Sequence, residues 1–143
     1  MADLNPLIRL RKYRVEEKQK AMAELFRQAE LLEGRKRELL ALLDREEAAT
    51  AQSDQIDAYV TFAAYAGRVN KEIERLNQNL AKLDVRIAKA QEDMREAFSE
   101  QKKVEIIQRR RDEAELAKEV QRESTTLDEV GIEIFRRRDD NAS

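Results

Sequence analysis

Residues 39–62 read LLALLDREEAATAQSDQIDAYVTF, and this stretch decides the fold. Up to Leu43, apolar residues recur in steps of three and four: Met22, Leu25, Ala29, Leu32, Leu39 and Leu43. Lys36 keeps the same phase, and Val15 and Ile8 extend it backwards. From Tyr59 the beat resumes through Phe62, Ala66, Val69, Ile73, Leu76, Leu80, Leu83, Ile87, Ala90, Met94 and Ala97. A 3.5-residue period gathers such side chains on one narrow seam of a helix, as a coiled coil requires. Between Asp44 and Gln55 the only apolar residues are Ala48, Ala49 and Ala51, so a seam has nothing to bury there. Two helices facing each other across a reversal follow from this pattern.

The expected class is therefore all-α, an antiparallel two-helix coiled-coil hairpin with a longer second helix, forming a single domain over residues 1–143. Helix 1 is expected over about 6–48, the reversal over about 49–55 and helix 2 over about 56–138. Pro6 suits the first turn of helix 1, and Ser53 or Asp54 offers an N-cap for helix 2. Gly67 is a rival turn, which would give two arms of nearly equal length, and against it the 3-4 phase runs unbroken through that position. Centring the reversal near Gln52 and Ser53 faces Leu43 with Phe62, Leu39 with Ala66, Lys36 with Val69, Leu32 with Ile73, Ala29 with Leu76 and Leu25 with Leu80. A slide of one heptad either way fits the stripes equally well, and the apolar-poor stretch selects this register.

On that register helix 1 starts opposite about Gln101, and everything from Lys102 onward lacks a partner in the chain. The stripe there is ragged, through Val104, Ile107, Arg111 and Ala114, before Val120, Ser124, Leu127, Gly131 and Ile134 restore the beat. A long unpaired helix is marginally stable in water, so this stretch is expected to meet another protein.

Composition agrees with long helices. Charged residues make up 41% of the 143, with three glycines, one proline and 5% aromatics. Lys plus Arg (28) nearly balance Asp plus Glu (30), which gives no strong overall pull toward nucleic acid or a membrane surface. No apolar run approaches a membrane span, and the start, with Leu4, Leu7, Ile8 and Leu10 among Arg9, Arg11, Lys12 and Arg14, lacks the apolar core of a secretion signal. A cytoplasmic protein is expected.

Catalytic chemistry finds no footing. The chain has no His and no Cys, which removes the commonest acid–base and thiolate groups, and no Gly-rich phosphate loop occurs. Carboxylate pairs such as Glu16–Glu17 and Glu46–Glu47 read as solvated helix faces. No enzyme activity, cofactor or metal is expected. The cluster Arg109-Arg110-Arg111 and the tail Arg136-Arg137-Arg138 have acidic flanks and no interleaved aromatics, which argues against nucleic acid. They read as a solvated face or a protein-facing one. Off-seam apolar residues (Leu40, Leu42, Ala63 and Tyr65) gather near the reversal, either as a contact site or as a widening of the seam.

The order of these pieces resembles a known family. A basic start, Leu7-Ile8-Arg9-Leu10-Arg11, leads to a heptad helix ending Leu39-Leu40-Ala41-Leu42-Leu43-Asp44, and a polar reversal follows. The second helix opens Tyr59-Val60-Thr61-Phe62 and carries Leu127-Asp128-Glu129-Val130 before a basic tail. This is similar to the flagellar export protein FliJ and its YscO-type injectisome counterparts, over nearly the whole chain.

The resemblance implies a central-stalk protein of a type III export ATPase, with the chain ends inserted in the pore of a hexameric ATPase. The hairpin would reach toward the membrane export gate, and the protein would help export chaperones cycle without itself entering the membrane. Arg109, Arg110, Arg111, Leu127, Asp128, Glu129, Ile134 and Phe135 would then face the ring. Leu42, Tyr59, Phe62 and Tyr65 would face the gate, although Arg45 and Ala49 stand where family members often carry aromatics. A homodimeric coiled-coil scaffold and a hairpin holdase, gripping clients through apolar tips, are the alternatives from other classes.

Overall fold

The computed structural model describes residues 3–142. Two helices account for almost all of them: α1, Asn5–Ala51, and α2, Ile56–Ala142. They pack against each other as an all-α hairpin whose second helix is the longer, 87 residues against 47. The reversal falls at residues 52–55, inside the apolar-poor stretch, and Gly67 lies within α2. No described residue has a positive φ, so the turn needs no glycine. One backbone bond and one side-chain bond close it instead. The Ser53 amide donates to the Thr50 carbonyl at 3.0 Å, and the Ser53 hydroxyl accepts from the Gln55 amide at 3.3 Å. Asp57 in the first turn of α2 complements the positive end of the helix dipole.

Two compact units divide the chain, one made of Tyr13–Phe98 and the other of the residues to Lys12 together with those from Ser99 onward. In the Tyr13–Phe98 unit the seam residues bury as their spacing predicts, but against partners further along. Leu25 clusters with Leu83 and Ile87, with Ala29, Leu32 and Ala90 packed around them. Leu39, the most buried apolar residue at 3% exposure, clusters with Val69 and Leu76, flanked by Leu43 and Ile73. Arg35 reaches Glu72 across the seam at 3.2 Å.

These groupings correct the expected register by one heptad: Leu25 sits between Leu83 and Ile87 rather than opposite Leu80. The reason lies in the turn. Centring assumed that the two helices begin level, yet Glu46, Ala49 and Thr50 border the same groove as Thr61, Phe62 and Tyr65. The connection therefore climbs past the end of α1 before α2 starts. The first turn of α2 stands beyond its partner, and Tyr59 reaches back to donate its hydroxyl to the Ser53 carbonyl at 3.3 Å.

The second unit carries the same slide. The Leu4 amide donates to Gln108 Oε1 at 3.0 Å, while the Asn5 amide is taken by the Asp3 carboxylate at 3.0 Å and the Leu4 carbonyl accepts the first helical bond from Ile8 at 2.9 Å. A side chain of α2 thus satisfies one of the donors that a helix start leaves free. Val104 and Gln101 are buried here, so Lys102 is not where pairing ends. The seam runs on in strict phase through Gln101, Val104 and Gln108, whereas Ile107, expected on the stripe, stays 45% exposed. Two glutamines at seam positions hide this continuation from an apolar pattern. Their polarity is accommodated, because Gln101 donates to Glu105 at 2.9 Å and Gln108 to Asp112 at 2.9 Å. Arg11 Nε, also buried, is without a hydrogen-bond partner.

Candidate functional site

From Arg109 to Ala142 every residue of α2 is exposed. At 1.5 Å per residue this is about 50 Å of helix with no buried residue. An isolated helix of such length draws no stability from tertiary contacts, and it displays large apolar side chains. Leu116, Val120, Leu127, Val130, Ile132, Ile134 and Phe135 are each half exposed or nearly so, or more.

All eight residues expected to face a ring lie in this stretch and are exposed. Helical geometry sorts them. Leu127 and Ile134, seven apart, share one face, and Asp128 and Phe135 share a second, while Glu129 points elsewhere. Arg109, Arg110 and Arg111 spread around the helix just past Gln108. The sequence pattern missed Leu116, which lengthens the Leu127–Ile134 face toward Arg111, and Val130, which fills it between those two residues. Their spacing from Val120 and Ile134, four residues in each case, was the available signal.

The residues expected to face a gate gather around the reversal in the Tyr13–Phe98 unit, but they differ in availability. Leu42 and Tyr65 pack against the Leu39–Val69–Leu76 cluster, so for them the widened seam is the right reading, while Leu40 (44%) and Ala63 stay exposed. Phe62 is half-buried and lines, with Tyr65, Ala49 and Arg68, an open groove of about 650 Å³. Tyr59 is half exposed, and Ile56 and Val60 beside it, absent from the expected set, are more exposed still. Of the aliphatic seam positions near this end, Val69 is buried at 6% and is spent on holding the hairpin together.

Electrostatics add little chemistry. Ion pairs are mostly three or four residues apart along one helix, with both partners well exposed, and such pairs contribute little. Among the described residues no group of three or more acidic side chains is placed to hold a metal, and no helix is long and apolar enough to cross a membrane. The arrangement suits surface recognition: one packed hairpin, one groove beside its turn, and one bare helix.

The chain matches the flagellar FliJ protein family over residues 1–140. It belongs to that family. FliJ proteins are components of flagellar export, and the match takes in both the hairpin and the bare helix. Comparison with curated proteins and with solved structures returns no match.

Proposed function

We propose that this FliJ-family chain is the non-enzymatic central stalk of a cytoplasmic type III export ATPase complex, inserted by its chain ends into the pore of the hexameric ring. The observation that carries this reading is the unpaired part of α2, from Arg109 to Ala142. It is a continuous exposed length of helix with apolar residues along it. A pore supplies what it lacks, a surrounding wall that buries those side chains. Leu127, Asp128, Glu129, Ile134 and Phe135 are assigned to that wall, with Arg109, Arg110 and Arg111 at its entrance.

The turn end would serve the membrane export gate through Tyr59 and the groove bordered by Phe62 and Tyr65, with Leu42 acting from beneath. Exchange of export chaperones would take place on the same complex. No cofactor is assigned, since recognition and torque need only surfaces.

A chain ending at Glu119 tests the stalk role. It should fail to stimulate the purified flagellar export ATPase, while circular dichroism shows that the paired helices persist, because the lost residues make no contact with the hairpin core. Full stimulation by the shortened chain would overturn the reading.

A further inference from the structure

The bare helix is banded by charge. Between Arg109-Arg110-Arg111 and Arg136-Arg137-Arg138, residues 112–135 hold eight carboxylates against two cations, Lys118 and Arg122. In a chain with net charge −2 this is a strong local excess. It is also sorted around the helix. At 3.6 residues per turn, Leu116, Val120, Leu127, Val130 and Ile134 share one face. Asp112, Glu113, Glu119 and Glu123 lie on the same face, within about 60° of its midline. Lys118 and Arg122 fall on the far side, so no cation stands on this face from Asp112 to Ile134. Glu113, Glu119 and Glu123 make no ion pair, and Asp112 takes only the Gln108 amide at 2.9 Å.

We infer that this acid-rimmed apolar face of α2 docks against an apolar protein surface rimmed by Lys and Arg, and that within the export complex this surface is a basic collar of the ATPase ring. The apolar stripe calls for a dry contact, and carboxylates beside it penalise any partner that is neutral or acidic. A partner with matching cations gains at each acid and is guided to register by the flanking arginine bands. The inference rests on the stalk reading for the identity of the partner, but the chemistry of the face stands on the helix itself. It assigns the central grip to acids, with Arg109, Arg110 and Arg111 in a secondary place.

The test uses the full-length chain, labelled at one introduced cysteine (Gln78→Cys, exposed) and titrated with the purified hexameric export ATPase by fluorescence anisotropy. The combined variant Glu113→Lys, Glu119→Lys, Glu123→Lys should weaken binding by about tenfold or more at low salt, with the difference shrinking as salt rises. Reversing Lys118 and Arg122 to Glu, on the far side, should change it by less than about twofold. Circular dichroism checks that each variant stays helical, and the milder triple Glu→Gln variant should fall between wild type and reversal. Wild-type binding that the acid reversal leaves untouched overturns the inference and leaves the stalk role standing. No wild-type binding to the ring removes the stalk role itself. A concentration-dependent mass that the acid reversal abolishes assigns the face to a second copy of this chain, whose groove at Leu31, Lys82 and Arg86 is itself basic-rimmed, and overturns the ring assignment.

Discussion

Gly67 occupies an exposed position of α2 where an added Cβ would meet nothing within 4 Å. Glycine in a helix interior costs about 0.5–1 kcal/mol relative to alanine, mainly through backbone entropy. Gly67→Ala should therefore stabilise the protein by about that amount, read as a shifted urea midpoint, and a loss of stability would show that the site needs its bare backbone. Glu105 is a second case. The Gln101 amide, hydrogen-bonded to its carboxylate at 2.9 Å, holds its pKa below the ordinary 4.5, with Lys102 and then Lys12 adding positive charge. A carboxylate lowered on folding contributes stability that is complete above about pH 4.5 and is lost as pH falls through the lowered folded value. Carbon-detected NMR titration should find Glu105 below 4.5, and Gln101→Ala should move it back up. An unmoved value would show that the bond does not persist in solution.

At the scale of the element, the two helices and their class were legible, because a 3-4 beat on either side of an apolar-poor gap has one simple solution. Their relative slide was not. Heptad stripes are degenerate to steps of seven, and the turn that lifts this degeneracy is built from Ser53, Thr50 and Tyr59 contacts with no glycine or proline to announce it. The far end of the seam was hidden for another reason, since Gln101 and Gln108 hold core positions with polar side chains. The candidate ring residues were legible as exposed, because nothing remained for them to pack on, while the grouping of Leu116 with Val120 was available from their four-residue spacing but fell outside the stripe traced through Arg111 and Ala114. The corrected slide has a direct check. Paired substitutions Ala29→Cys and Leu83→Cys should form an intrachain disulfide readily, whereas Ala29→Cys with Leu76→Cys should form one poorly. The reverse preference would restore the centred register.

At the scale of the whole molecule, a two-helix core is thin: none of its large side chains is less than 2% exposed among the described residues. Burial at ~25 cal/mol per Å² has little area to act on, which suits a protein whose longest exposed surface waits for a partner. The bond from Leu4 to Gln108 then acquires a meaning in time. It joins residues 104 apart, against 37 for Arg35 and Glu72. Closing the longer loop directly from a disordered chain costs roughly 1 kcal/mol more entropy, whereas a pair next to contacts already made costs little. Pairing should therefore begin beside the reversal and zip outward, and the Leu4 amide should be the last to gain protection from hydrogen exchange on refolding. If it is protected first, the zipper runs the other way. On the ribosome the consequence is sharper still, since the start of α1 emerges ahead of the rest of the hairpin and must wait for more than a hundred residues to follow before its own partner exists.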